Sequence, residues 1–380
     1  MRRFIAAAIA ATAVLVSCSN QDNMYSEANT ILDEICNALF PAGEPGAAVL
    51  ILKGDKIVFE SGYGIADTET KALIDGDSFF NIASVSKQFT ATAIMQLAER
   101  GLLSLDDCVA KYHPEYQADF WKRITLRNLL SHSSGVPDGR GYLTREAKIH
   151  GDEALAMEFL PGLDHLNFEP GSNYEYINPT FVLLGDIVEK VSGMEFTEYV
   201  RKNIFEPAGM EQTLYFTPDA KIPNMTHGYE YADVEDMPEE RTAGDTPDVK
   251  NWYEYDYGEE TFFATRPDGG IYTSVHEFVK WEKAIRDHII LSSFDEAHTP
   301  HTKVSGSPYS DYQNRPGTWY GYGWFIEPDK GCIYHTGDNG GYKILAARYP
   351  ASEALVLVFS NRADWDRNEL KTRIEELYGF

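Results

Sequence analysis

The chain has 380 residues, 43% of them hydrophobic and 24% charged, which is enough for one large globular domain or two. Its formal net charge of -26 argues against nucleic acid as a partner, since phosphates need a basic surface. The same charge argues against adsorption to anionic lipid by electrostatics alone.

The chain opens with "MRR", a short basic stretch, followed by "FIAAAIAATAVLV", an apolar run too short to span a bilayer as a mature helix. Residues 1–17 therefore read as a signal peptide. The run "LVSC", Leu15 to Cys18, resembles a bacterial lipobox. In such signals the cysteine, here Cys18, is lipidated and becomes the first residue of the mature protein. Ordinary signal cleavage nearby, with Cys18 free, is the alternative. Ser19 after the cysteine resembles sorting to the outer membrane. The expected location is thus the bacterial cell envelope, with a lipid anchor and either the periplasmic or the surface face. Residues 18–25 would be a polar tether, and no later segment is long and apolar enough for a membrane helix. Cys36, Cys108 and Cys332 remain, with no C-x-x-C spacing for zinc. Buried thiols are expected, with one disulfide among them left open.

A first helix is predicted at 26–40, with Ile31, Leu32, Ile35 and Leu39 on one face and Pro41 ending it. "GAAVLILKGDKIVFESGYG" reads as a hairpin turning at Gly54-Asp55. Residues 84–210 carry helical patterns at 84–100, about 125–131, 152–160, 179–192 and 195–204. Residues 228–263 are acidic and aromatic with little periodicity, a long surface loop or lid. It is either a solvated excursion pinned by a few aromatics or a wall of a substrate pocket. "WYGYGWFIE", "GCIYHTG", "YKILAARYP" and "ALVLVFSNR" are strand-like, and a helix at roughly 363–378 closes the chain. Strands at both ends with helices between them imply an α+β fold. A mostly antiparallel sheet is built from residues 26–90 and 265–380 and flanked by helices, with a mainly helical domain, 91–264, inserted.

The helix at 84–100 raises a chemical question. From Gln88 to Gln96 it carries no charge, so it reads as buried on most sides, yet Lys87 lies in its first turn. A cation there opposes the helix dipole and is costly to desolvate without a partner. Ser84, three residues earlier, shares its face. An N-cap role would explain the serine but not the lysine, because a capping box places Glu or Gln at that position. Nucleophilic catalysis explains both. A serine hydroxyl needs a nearby base, and burial lowers a lysine pKa so that the neutral amine becomes available. Ser-x-x-Lys alone is weak, since about one match is expected by chance in a chain this long.

Two further segments strengthen it. "NYEYINPTFVLLGDIVEKVSG" places Tyr176 and Asn178 just before an apolar helix, and "CIYHTGDNGGY" places His335, Thr336 and Gly337 on a strand before glycines. Ser-x-x-Lys, Tyr-x-Asn and His-Thr-Gly in this order resemble the penicillin-recognising serine hydrolases, specifically the class C β-lactamase, D,D-peptidase and esterase-like branch. "LRNLLSHSSGVPD", "RPDGGIYTSVHEFVKW" and "LSSFDEAHTPHTKV" resemble further segments of that family, so the likeness covers nearly the whole mature chain. A second Tyr-x-Asn, Tyr312 to Asn314, lies in a Pro/Gly-rich loop too close to His335 to match.

The resemblance implies a β-lactamase/transpeptidase-like fold and an acyl-enzyme mechanism. Ser84 would attack a carbonyl, with Lys87 and Tyr176 sharing the work of the base. Asn178 would hydrogen-bond Lys87 and the substrate. Backbone N–H groups of Ser84 and Asp338 would form the oxyanion hole. The strand at 335–337 would pair with an extended substrate. No metal or cofactor is implied, the partner is a small-molecule or peptide substrate, and a monomer is expected. His132 reads as a turn residue and Ser133 and Ser134 as loop hydrogen-bonders. His298 and His301 are separated by Pro300 and lack further ligands.

Substrates in play are a D-amino-acid peptide, an ester or a β-lactam. Histidine at 335, where lactamases of this branch usually carry lysine, resembles the D,D-peptidase and esterase members more. With Asp338 nearby, His335 is expected to titrate and to read substrate charge, or else only to hydrogen-bond Tyr176 or water. A rival of another class is a non-catalytic ligand-binding lipoprotein on the same fold.

Overall fold

Alternation with a period of two builds the centre of the molecule. In β1 (Ala47–Lys53) Ala48, Leu50 and Leu52 enter one apolar cluster and Ala47, Val49 and Ile51 another. The strand is therefore buried on both faces. The computed structural model describes residues 25–143, 151–217, 221–222, 224–231, 252–254, 265–310 and 316–380. The predicted signal peptide, Cys18, the tether to residue 24, most of the acidic loop and Tyr312 to Asn314 lie outside these residues.

Strand β2 (Lys56–Tyr63) completes the hairpin across Gly54-Asp55. In chain order there follow β3 (Phe80–Asn81), β4 (Leu214–Tyr215), β5 (Tyr229–Tyr231), β6 (Trp252–Glu254), β7 (Ile271–Thr273), β8 (Thr302–Lys303), β9 (Trp319–Tyr320), β10 (Phe325–Glu327), β11 (Cys332–Asn339), β12 (Tyr342–Tyr349) and β13 (Ala354–Ser360). The main sheet has the order β2-β1-β13-β12-β11-β10-β9-β8 and is antiparallel throughout. It joins the two chain ends, as expected, because β1 pairs with β13 from Ala47↔Ser360 to Lys53↔Ala354.

Helices cover both faces. On one lie α1 (Ser26–Leu39) and, from the far end of the chain, Leu370, Ile374 and Tyr378. On the other lie α2 (Lys87–Glu99), the short α3 (Leu126–Leu130), α4 (Asn178–Ser192) and α5 (Val275–Arg286). The closing helix, α6 (Arg367–Tyr378), starts later than predicted because Asp366 caps it, accepting from the N–H groups of Asn368 and Glu369.

One expectation needs correction, and two left open are narrowed. Helix α1 buries Ala28, Leu32 and Cys36, while Ile31 is 38% exposed. The sheet thus selects a stripe spaced by four, with the cysteine in it. The cysteines Cys36, Cys108 and Cys332 are free thiols, so the disulfide left open does not form. The described parts of the acidic segment are pinned by aromatics: β5 pairs with β6, Tyr229 and Trp252 are buried, and the Arg362 guanidinium lies 4.4 Å from the Trp252 ring.

Candidate active site

The turn before α2 is held from several sides. Asn81 Oδ1 accepts the Ala83 N–H at 2.8 Å, and the Ile82 N–H donates to the Ile271 carbonyl at 2.9 Å. Ala83 is forced to a φ of 47°, a region costly for a residue with a Cβ. A 3-10 turn over Ala83–Ser86 then leads into the helix, leaving Ser84 partly exposed and Lys87 fully buried. The predicted face-sharing is realised: Lys87 Nζ lies 3.1 Å from Ser84 Oγ.

The second partner of Lys87 was not foreseen. Nζ donates to the backbone carbonyl of Asp268 at 2.7 Å. That carbonyl is delivered by the short helix Arg266–Gly269, which is tied to α2 where Thr90 Oγ1 donates to the Pro267 carbonyl at 2.5 Å. The Asp268 side chain is 7% exposed and accepts from the Thr265 hydroxyl. Burial pushes the Lys87 pKa down to about 7, the Asp268 carboxylate opposing this and the Arg140 guanidinium adding to it. Burial also raises the Asp268 pKa, against the pull of Lys87 and Arg140. In the sequence this group lies in "RPDGGIYTSVHEFVKW", which stood out only by its resemblance to a family segment.

Tyr176 lies beside the lysine, with Nζ 4.9 Å from the centre of its ring. Asn178 heads α4, but it is not a hydrogen-bond partner of Lys87; its Oδ1 is buried without a hydrogen-bond partner among the described residues. His132 does more than hold a turn. At a φ of 52° it is buried, its ring centre 4.2 Å from that of Tyr176. Its Nδ1 accepts the Ile177 N–H at 3.3 Å and its carbonyl accepts the Glu175 N–H at 2.9 Å. The backbone on both sides of Tyr176 is therefore held by this one residue. Burial holds the His132 pKa well below the usual value, with Lys87 and His335 adding to this, so the ring is neutral.

Strand β11 forms the opposite wall. A Cβ on Gly337 would lie 2.3 Å from the Ile82 carbonyl oxygen and 3.0 Å from Ala83 Cβ, so only glycine permits this approach. The close contact brings residues 337–338 against the turn carrying Ser84, the arrangement that an oxyanion hole from the N–H groups of Ser84 and Asp338 would need. Strand β10 pairs with β11 only from Cys332 to Tyr334, whereas β12 pairs along its whole length. The edge at His335–Asp338 thus has no neighbouring strand among the described residues, where an extended substrate could pair.

His335 does not behave as expected. It is 1% exposed, and burial pushes its pKa down to about 3, with Lys87 assisting. Its Nδ1 donates to the Thr336 carbonyl at 2.7 Å, so Nε2 accepts from the Tyr320 hydroxyl at 2.9 Å. Tyr320, rather than Tyr176 or water, is its partner. Asp338 does not raise the histidine pKa as expected, because its carboxylate is bonded to Arg367. Burial thus argues for a neutral ring at 335 that hydrogen-bonds and against one that titrates with substrate charge.

These residues surround a cavity of about 230 Å³ lined by Ser84, Tyr174, Tyr176, His335, Thr336 and Asp338, with Tyr309, Ser310 and Phe325 completing its wall. Tyr174 sits two residues before Tyr176, a spacing that could have flagged it. Ser133 and Ser134 are buried loop residues, and Ser133 Oγ accepts from Asn128 Nδ2 at 3.2 Å. Among the described residues, one cluster of metal-type ligands occurs away from the cavity, Glu327, Cys332 and Glu375. Lys371 Nζ already satisfies both carboxylates, at 3.1 and 2.6 Å, and burial pushes the Cys332 thiol up to about 11.

Comparison with known proteins gives a consistent picture. A family model described as Beta-lactamase matches residues 36–379. The chain is 28% identical over 344 residues to penicillin-binding protein 4* of Bacillus subtilis (strain 168), covering 87% of this chain and 72% of that one. It is 26% identical to protein flp of Staphylococcus aureus (strain MW2), over 83% of this chain and 59% of that longer protein. Among solved structures, a penicillin-binding protein from Bacillus halodurans superposes with a TM-score of 0.72 at 28% identity, covering 87% of this chain and 95% of the other.

Proposed function

The chain belongs to the Beta-lactamase family and is a serine hydrolase; from that premise we propose that it cleaves an amide or ester through an acyl-enzyme at Ser84, in the cell envelope. The observation that carries this reading is the fully buried Lys87 ammonium nitrogen, 3.1 Å from the hydroxyl of Ser84 at the wall of a cavity. With its pKa near 7, Lys87 is available as a neutral amine at ordinary pH. It takes the Ser84 proton as Oγ bonds to the carbonyl carbon, with Tyr176 beside it to share the transfer. The tetrahedral oxyanion is met by the N–H groups at 84 and 338. The scissile C–N or C–O bond then breaks, and the leaving amine or alkoxide takes the proton. Water, deprotonated by the same base, cleaves the ester to release the acid and restore Ser84.

A D-amino-acid peptide or an ester is favoured over a β-lactam, because a neutral histidine replaces the cation expected at 335 in a lactamase of this branch. A fluorophosphonate should modify Ser84, as read by peptide mapping; labelling at Ser133 or Ser134 instead would sink the assignment. We also propose lipidation at Cys18 and attachment to the outer membrane, supported by the "LVSC" signal. Cys18→Ala should move the protein from the membrane to the soluble fraction, and retention in the membrane would refute the anchor.

A further inference from the structure

The charges around the cavity bear on which substrates it accepts. Four aromatic rings, Tyr174, Tyr176, Tyr309 and Phe325, make much of its wall, so it can bury apolar substrate surface. Among the described lining residues Asp338 is the one carboxylate and His335, held neutral by burial, the one basic side chain. The Asp338 side chain is 63% exposed and stands near the end of β11.

Among the described residues, four cations near the site each have partners of their own. Lys87 is spent on Ser84 and the Asp268 carbonyl. Arg140 forks onto Asp138 at 3.0 and 2.7 Å. Lys343 Nζ is held by the carbonyls of Ala363 and Trp365 at 2.9 and 2.6 Å. Arg367, 10% exposed, is bonded through Nη2 to Asp338 Oδ1 and does not line the cavity. A substrate carboxylate beside the scissile bond would thus meet an exposed carboxylate and no open cation among the described residues.

We propose that this site selects uncharged or ammonium-bearing amides and esters, with Asp338 receiving the ammonium, and discriminates against substrates that carry a carboxylate next to the scissile bond. The inference rests on the acyl-enzyme reading at Ser84. Because Arg367 partly neutralises Asp338 and the carboxylate is solvated, each step of substrate charge should change kcat/KM by about three- to ten-fold.

Two matched series test it. One places the charge on the acyl side: p-nitroanilides of D-alanine, N-acetyl-D-alanine and N-succinyl-D-alanine. The other places it on the leaving group: N-acetyl-D-alanyl thioesters of thiocholine, methyl mercaptoacetate and mercaptoacetate. Intrinsic reactivity differs within each series, so the readout is the change in kcat/KM ratios between wild type and Asp338→Asn. In at least one series the cation-to-anion ratio should fall about ten-fold or more in the variant, and in the wild type it should shrink as salt rises. The double variant Asp338→Asn/Arg367→Gln, which leaves no unpaired arginine, should lose the cation preference without gaining use of anions. Ratios that Asp338→Asn leaves unchanged in both series would overturn the proposal. So would a preference for anions that Arg367→Gln abolishes, since Arg367 would then be the reader. Fluorophosphonate labelling of Ser84 separates the two layers. Labelling with flat charge ratios refutes only the charge selection, whereas absence of labelling and of all turnover refutes the acyl-enzyme reading beneath it.

Discussion

A lysine with no exposed surface loses its hydration, and its charge is then set by the few groups that face it. Lys87 has Asp268 and Arg140 as its charged neighbours, the ring of Tyr176 alongside, and neutral His132 and His335 close by. The Asp268 carboxylate raises the lysine pKa and Arg140 lowers it. If the neutral amine is the base, as proposed, kcat/KM should rise with pH through about 7. Removing the carboxylate lowers the lysine pKa further and makes the neutral amine available at lower pH. Asp268→Asn should therefore move the acid limb of the kcat/KM profile for an uncharged ester to lower pH. The substitution keeps the backbone carbonyl that holds Nζ, so a purely structural role would leave the limb in place. An unmoved limb would mean that the carboxylate does not act on Lys87. Lys87→Ala, by contrast, should cost about 10²–10⁴-fold at all pH values. Ser84 and Lys87 were legible in the sequence because a spacing of three on a helix is a local rule. Asp268 was not, because its burial depends on a segment 181 residues away.

At the level of elements, periodicity recovered what local chemistry decides. The hairpin at Gly54-Asp55, the strands of the C-terminal half and the helix after Tyr176 all carry their own signals. Which face of a helix turns inward is a different matter. Helix α1 offers both Ile31 and Cys36, and the sheet takes the cysteine side. The loop after α3 shows the same limit. Its residues look polar, yet Ser131, His132, Ser133 and Ser134 are all buried. They satisfy one another and the backbone: Ser131 Oγ donates to the Arg127 carbonyl at 2.7 Å and lies 3.0 Å from Ser133 Oγ. This network gives His132 a fixed seat from which its ring packs at a tilt of 38° against Tyr176 and it grips Glu175 and Ile177. The tyrosine proposed to share the proton transfer is thereby held on an irregular stretch as firmly as one on a helix. His335 failed the charge-reading expectation for a related reason. Its neighbours in sequence include an aspartate, but its neighbours in space are Tyr320 and Phe325, which desolvate it.

Across the whole molecule, the catalytic wall depends on contacts that close the chain ends. Strand β11 faces Ser84, β12 holds β11, β13 holds β12, and β13 is in turn paired to β1. One side chain just past β13 ties this closure together. Asn361 is fully buried, and its Oδ1 accepts the Gly46 N–H at 2.7 Å. Its Nδ2 donates to the carbonyls of Ile65, Ala66 and His227 at 3.1, 3.2 and 2.9 Å. The N-terminal hairpin, the C-terminal strand and the start of the acidic segment thus meet at one amide. Nothing in "FSNRADW" marks that asparagine, since its partners are up to 315 residues away. Truncation to alanine strands the buried Gly46 N–H and takes a donor from the Ile65 and His227 carbonyls, while the Ala66 carbonyl keeps the His227 N–H. Stranding such groups costs each of them its desolvation penalty, so Asn361→Ala should lower the unfolding free energy by about 2–4 kcal/mol. Urea unfolding followed by tryptophan fluorescence measures this, with labelling of Ser84 as a second probe. Both midpoints should fall together, because the same sheet carries the core and the wall of the site. A loss below about 0.5 kcal/mol, the range of ordinary surface changes, would show that the tie is dispensable. A site that lost labelling well before the fluorescence changed would show that the cavity opens independently of the sheet closure.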